Sequence, residues 1–300
     1  MSDGTLVIGW FSFELMGATA GDLIAKDVAC EWLRSIGLSP QVAVTEPRRA
    51  EEIATTAVVP EQYSTVVFVC GPIGDGPPLN AFLDRFPHAR KFALNVSLLQ
   101  DRRVWNPFAA IVERDSNERT NPDITFAAAD AVVPVAGLIY VGLQEEYPTQ
   151  RHDLAEQTFA QVVKGRDLAV VPIDTRLDVN RYGLSSPAQI EALIAKMDVV
   201  LTTRLHGAAL ALRRGVPPLV IDSIPGGSKL WVQMQRIGWP LTFHTGDLDA
   251  GKVATALDYA LTPEARRRAA DCAAAARQEV EKVKQEFLSA LRARPIESEL

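Results

Sequence analysis

The sequence predicts an α/β protein of two doubly wound domains, each a parallel sheet between layers of helices, ending in a long C-terminal helix. Three observations carry that prediction. At 300 residues the chain is about two domains long, taking roughly 150 residues for each. Short β-branched runs alternate with helical stretches in both halves, the rhythm of a parallel sheet covered on both faces. Between the halves, after Tyr140, that rhythm breaks in the polar stretch GLQEEYPTQRHD.

The first domain opens with TLVIGWF, a strand from Thr5 to Phe11, then a glycine-containing loop to Gly21 and a helical pattern from Asp22 to Ile36. Strands follow at Gln41–Thr45, Thr65–Cys70, Lys91–Leu94, Ala109–Glu113 and Ala131–Pro134. The boundary falls within the polar stretch, giving Rossmann-like domains at residues 1–147 and 148–300. After a helix from Asp153, the second domain has strands at Leu168–Ile173, Asp198–Thr203, Pro218–Asp222 and Leu241–His244. Helices begin at Ser185-Ser186-Pro187, at Gly207 and near Lys229. Thr262 and Pro263 suit an N-cap and a first helical position, and the pattern beyond them runs as one helix to Arg294. Its arginines at 266, 267 and 268 are consecutive, so they point around the helix and form no single basic face.

Composition narrows the function. With 47% hydrophobic and 23% charged residues and a mean hydropathy of +0.03, the chain is neither a disordered polymer nor a membrane-embedded one. A net charge of −6 argues against a generally basic nucleic-acid surface and leaves room for a focused basic pocket. Cys30, Cys70 and Cys272 make no CxxC pair, so they predict neither a metal knuckle nor a disulfide framework. The first residues carry an acid where a signal peptide needs positive charge, and no apolar run approaches the roughly 18 residues of a membrane span, which fits a cytoplasmic protein. His88, His152 and His244 stand alone in sequence and give no metal-ligand spacing. Ser12, Ser64 and Ser97 sit in no nucleophile elbow.

The chemistry concentrates in VVLTTRLHGAALALRRGVPPLVID, Val199 to Asp222, which reads strand, loop, helix, turn, strand. Arg204 and His206 fall where a strand ends and a helix begins, the edge at which open α/β sheets bind ligands. A helix N-terminus offers free amides and positive partial charge, and Gly207, Ala208 and Ala209 lack bulk that would block an anion. Arg204 adds a forked donor for carboxylate or phosphate, and His206 is a group able to move a proton near neutral pH. The competing structural reading is an Arg204 paired with a surface acid and a His206 capping a carbonyl. Two glycine-rich segments are weaker candidates. IPGGSKL, Ile224 to Leu230, lacks the P-loop spacing, and CGPIGDGPP, from Cys70, reads as a proline-punctuated turn. Asp174 and Asp222, at strand ends, suit a base or, more often, a turn or cap.

The segment TTRLHGAALALRRGVPPLVID resembles the signature of the polysaccharide pyruvyl transferase family, an R-L-H-G helix start followed by G-V-P and a strand. Gly21 and Asp22 resemble the family's early G-D pair, ERDS from Glu113 to Ser116 its arginine-containing motif, and Lys229 the lysine after the G-V-P strand. Pro72, in CGPIG, replaces a glycine of the family's loop, and the serine after Arg114 comes sooner than in its pattern. The resemblance implies a GT-B-like pair of domains, the first on the acceptor side and the second on the phosphoenolpyruvate side. The implied activity is transfer of pyruvate from phosphoenolpyruvate to a sugar, with a ketal as product, in exopolysaccharide biosynthesis. The acceptor is a sugar or a lipid-linked oligosaccharide, which would bring the protein to the inner face of a membrane without a span. No metal, cofactor or nucleic acid is implied. In this reading Arg204 and Arg114 bind the donor's anionic groups, His206 is the acid, Gly207 lies at the binding helix start, Lys229 is a phosphate or inter-domain contact, and Asp22 positions a hydroxyl or caps its helix. Two other readings stay open: a nucleotide-sugar glycosyltransferase, though no glutamate stands between Asp222 and Trp239, and a non-catalytic ligand-binding member.

Overall fold

The computed structural model describes residues 3–14, 16–142 and 146–292, and the chain divides into two compact units between Ala131 and Val132. In the first unit the elements are β1 (Gly4–Ile8), α1 (Ala20–Ser35), β2 (Pro40–Val44), β3 (Glu52–Ala54), β4 (Tyr63–Ile73), α2 (Leu79–Leu83), β5 (Arg90–Leu98) and β6 (Ala110–Asp115). They form a six-stranded sheet ordered β3-β2-β1-β4-β5-β6, with every pairing parallel. Strand periodicity explains why both faces are apolar. Leu6 and Ile8 point to one side, against Phe82 and Phe86, while Val7 points to the other, against Ala25 and Ala29 of α1. A capping box starts α1: Thr19 Oγ1 accepts from the Asp22 amide at 3.3 Å, and the Asp22 carboxylate accepts from the Thr19 amide at 2.8 Å.

The second unit contains β7 (Val135–Ile139), α3 (His152–Val163), β8 (Ala169–Pro172), α4 (Pro187–Ile194), β9 (Val199–Thr202), α5 (Leu205–Arg213), β10 (Pro218–Asp222), α6 (Lys229–Arg236), β11 (Thr242–His244), α7 (Ala250–Ala260) and α8 (Pro263–Arg292). Its five strands are all parallel, in the order β11-β10-β9-β7-β8. Each unit is thus a doubly wound α/β layer structure, and α8 is the long C-terminal helix expected from the sequence; its expected end at Arg294 lies outside the described residues. Among the described residues no helix is long and apolar enough to cross a membrane.

The structure departs from the sequence reading in several places. The strand expected at Ala131–Pro134 in the first domain is instead β7, four residues on, an inner strand of the second sheet, so the units divide earlier than 147/148. Pairing decides this. β7 lies between β9 and β8, with Ala136 opposite Val199 and Val135 opposite Ala169, whereas Val132 is 95% exposed. Gly137 weakens the local strand signal but is needed there, because a Cβ would come within 2.9 Å of Ile173. CGPIG is strand as far as Ile73, not turn, and α5 begins at Leu205, not Gly207. β3, α2 and α7 lacked a clear signal in sequence.

The second core is keyed by Trp239, which is 1% exposed and donates its indole N–H to the Pro218 carbonyl at 2.7 Å. Trp239→Ala is expected to cost about 3–5 kcal/mol, and Trp239→Phe less, read as lowered denaturation midpoints in guanidinium. A Trp239→Ala protein as stable as wild type would show that this core is not packed around the indole.

Candidate functional site

Strand order creates a crevice in the second unit. The chain steps from β7 to β8 on one side and then returns to β9 on the other, so the segments leaving β7 and β9 diverge at the carboxyl edge. Two threonines shape that edge. Thr202 Oγ1 accepts from the Arg204 amide at 2.9 Å, fixing the turn into α5. The Thr203 amide donates to the Ile139 carbonyl at 3.1 Å and its hydroxyl accepts from the Val141 amide at 2.9 Å, tying the exit of β7 to that of β9.

At this edge α5 starts without a side-chain cap. Its first amides therefore open onto a cleft of about 270 Å³ whose lining includes Arg204, His206, Ser223 and Lys229. Arg204 is half-buried, and its guanidinium has no ion pair among the described residues, contrary to the competing reading that it pairs with a surface acid. His206 is exposed and likewise has no hydrogen-bond partner among the described residues. Gly207 is small for a different reason than anion access: a Cβ there would meet Thr202 Oγ1 at 2.4 Å and Ile139 at 3.0 Å, so the glycine lets α5 lie close on the sheet.

Asp222 is structural. Buried at the end of β10, its carboxylate accepts from the amides of Ile224 (3.0 Å), Ser228 (2.7 Å) and Trp231 (3.0 Å) and from the Ser228 hydroxyl (2.8 Å). These bonds fold the IPGGSKL segment back over the strand end, and the reversal needs left-handed backbone at Gly226 and Gly227, with φ of 83° and 88°. Ser228 caps α6 by accepting from the Leu230 amide. Lys229, the first residue of that helix, places its ammonium 3.0 Å from Glu146 Oε1 and 5.8 Å from the centre of the Tyr147 ring; the bond to Glu146 raises its pKa.

The other two sequence candidates, Asp22 and Arg114, lie in the first unit. Arg114 donates to Asp115 at 2.9 Å, to Asp123 at 3.1 Å and to the Ser97 hydroxyl at 2.6 Å. Asn95 extends the network, donating to Asp123 at 3.1 Å and to the Cys70 sulfur at 3.6 Å. Burial pushes the Cys70 thiol up to about 11, with Asp22 beside it adding to the shift. Burial raises Asp22 in turn, but bonds from the Thr19 amide and hydroxyl and from Cys70, with Arg114 nearby, leave it below the ordinary carboxylate value. Cys70 and Asn95 both hold left-handed backbone, with φ of 69° and 58°, where paired strands β4 and β5 skip a register position. The sequence singled out Asp22 and Arg114, but nothing in it joined them to Cys70, Asn95 and Asp123. The structure therefore brings Arg204, His206, Gly207 and Lys229 together in one unit, and Asp22 and Arg114 together in the other. Among the described residues no three His, Cys, Asp or Glu side chains converge to hold a metal ion.

Asp222→Ala removes four bonds at once. It should speed amide exchange across residues 223–231 while strand β9 stays protected; unchanged exchange would refute the anchoring role. The first-unit network makes a pH prediction. Asp115, Asp123 and Asp22 are all lowered, so the stability they confer is complete above about pH 4 and is lost as pH falls through their lowered values. Arg114→Ala should lower stability at pH 7 by about 1–3 kcal/mol and make the acid limb shallower, measured by thermal melts between about pH 5 and 2. An acid limb parallel to wild type would contradict it.

Several solved structures match the chain at low similarity. The glycotransferase of kitacinnamycin is 11% identical, over 91% of this chain and 94% of its own, with a TM-score of 0.33. The spinosyn rhamnosyltransferase SpnG, complexed with thymidine diphosphate, is 12% identical over 91% and 96%, at 0.30. The Methanocaldococcus jannaschii UDP-GlcNAc 2-epimerase, in complex with UDP-GlcNAc and UDP, is 11% identical over 88% and 94%, at 0.32. At such scores nothing of their activities transfers to this chain. No curated protein gives a match. Residues 121–224, which hold Arg204, His206, Gly207 and Asp222 but not Asp22, Arg114 or Lys229, match the family model polysaccharide pyruvyl transferase, the family that the R-L-H-G segment resembles.

Proposed function

We propose that this protein transfers pyruvate from phosphoenolpyruvate to two hydroxyls of a sugar, forming a ketal. The observation that carries the reading is the uncapped start of α5, with an Arg204 that has no ion pair among the described residues and an exposed His206 beside it, inside the family-matched segment. Phosphoenolpyruvate bears a carboxylate and a phosphate. Free helix amides and a forked guanidinium are matched donors for such groups.

The reaction needs a proton delivered and phosphate released. His206, as imidazolium, gives its proton to the donor's methylene carbon, which becomes the ketal methyl, while the first sugar hydroxyl bonds to C2 and loses its own proton. The bond from C2 to the phosphate oxygen then breaks and phosphate departs with the electron pair. The second hydroxyl bonds to C2 and loses its proton in turn. Across both additions two hydroxyl protons are released; one replaces the proton given by His206 and the other leaves with phosphate. Arg204 and the α5 amides offset the negative charge on the donor, and positioned acid catalysis of this kind supplies about 10²- to 10⁴-fold. Lys229 stands at the same cleft as a further phosphate contact once it exchanges Glu146. Arg114 is committed to Asp115 and Asp123, and Asp22 to capping α1, so the proposal places the donor's charge on the second unit.

The test is the melting temperature against phosphoenolpyruvate concentration. A ligand at 100 times its dissociation constant adds about 2.7 kcal/mol, and each kcal/mol is worth roughly 2–4 °C in a domain of this size. Wild type should rise by several degrees, Arg204→Ala should not, and His206→Ala should keep most of the rise. A flat wild-type response, or one that Arg204→Ala leaves intact, overturns the proposal.

A further inference from the structure

Arg204 stands between two clefts, and the donor reading uses only one. The other, about 470 Å³, lies over the ends of β7 and β8, and its walls include Tyr140, Glu156, Asp174, Arg181 and Tyr182 as well as Arg204. Its outer wall is the segment between β8 and α4, which is held by its own polar groups. The Asp174 carboxylate accepts from the amides of Arg176 (3.0 Å) and Arg181 (3.3 Å). Asn180 Nδ2 donates to the carbonyls of Asp174 (2.9 Å) and Arg176 (2.7 Å), and Asn180 Oδ1 accepts from the amides of Tyr182 (2.9 Å) and Leu184 (3.0 Å). The Arg176 guanidinium is tied to Asp178.

These bonds sort the wall into spent and available groups. Asp174 and Asn180 are consumed in shaping the segment. The side chains of Arg181 and Glu156 have no ion pair among the described residues, and Tyr182 is 53% exposed although its backbone is pinned. The cleft thus offers a second guanidinium and a carboxylate that have no ion pair among the described residues, with two phenol rings, beside Arg204. Burial first, and then Glu156, push the Tyr140 hydroxyl up to about 12, so it stays an O–H donor at neutral pH.

We infer that this cleft of the second unit, and not the first domain as the family resemblance implies, binds the acceptor, and that the acceptor is an anionic sugar: a ring bearing a carboxylate or a phosphate, with its anion on Arg181, a hydroxyl donating to Glu156 and its C–H face on Tyr182. Each group on the wall meets a matching group on such a ligand. A neutral sugar makes no use of the Arg181 charge, and a simple inorganic anion uses neither Glu156 nor the rings. The shared Arg204 wall puts the ring next to the donor cleft, where its hydroxyls must be to reach C2. Calling the ligand an acceptor rests on the pyruvyl-transfer reading; calling it an anionic sugar rests on the cleft.

The test uses the full chain and saturation-transfer NMR with three probes: glucose 1-phosphate, glucuronate and glucose. At least one charged probe should bind roughly tenfold or more tighter than glucose, and Arg181→Ala should abolish that preference while its unliganded melting temperature and its rise with phosphoenolpyruvate match wild type. Tyr182→Ala should weaken all three probes, because ring stacking does not depend on charge. Comparing the two charged probes tells a phosphate from a carboxylate as the recognised anion. Equal binding of charged and neutral probes, or a charge preference that survives Arg181→Ala, overturns the inference. If the charged probes bind through Arg181 but phosphoenolpyruvate gives no thermal shift, the donor reading falls and the sugar site stands. If phosphoenolpyruvate binds and no charged probe does, only the sugar site falls.

Discussion

Parallel pairing of β7 with β9 is the constraint on which the second unit depends. Because these strands run side by side in the same direction, their carboxyl ends meet at one edge, while β8, which falls between them in sequence, lies on the far side of β7. The segments after β7 and β9 therefore part, and the gap cannot be closed by main chain alone. Thr203 spans it with two bonds, and Arg204 projects where it opens. The clefts on either side of Arg204 follow from strand order, and the chemistry in them follows from which side chains stand at those strand ends.

Buried polar groups separate structure from reactivity. A polar group taken out of water must find partners, so the acids that shape loops are saturated by amides. Asp222 and Asp174 are both used in this way, and each holds a long irregular segment against a strand end. Among the described residues Arg204, Arg181 and Glu156 have no ion pair, and all three stand at the wall of the same cleft. The contrast carries more weight than residue type, since two aspartates at equivalent strand ends would otherwise be as good candidates as any glutamate.

The first unit shows the opposite balance. Its cation, Arg114, is enclosed by acids, and the cluster around it includes two non-glycine residues in left-handed backbone, an arrangement that costs of order 1–3 kcal/mol for each. Asn95 offsets part of that cost by linking Cys70, Asp123 and the Ile124 amide. Trp10 reaches the same edge and donates to the carbonyl of Pro72, which lies within β4, at 3.1 Å.

The alternation of strands and helices is legible along the chain, because β-branched runs and amphipathic stretches differ in period over a few residues. The sequence also placed Arg204 and His206 at a strand-to-helix junction, because that motif is contiguous. It led astray where the deciding contact is distant. Nothing near Ala131–Pro134 tells that the strand begins at Val135 and belongs to the second sheet, since its partners start at Ala169 and Val199. Gly207 reads as an opening for an anion until Thr202 and Ile139 are seen against it, and Arg114 reads as a free cation until Asp123 folds back onto it. Which charged side chains are paired and which face a cleft emerges from the folded arrangement, because an ion pair depends on distance in space and the chain encodes only distance along itself.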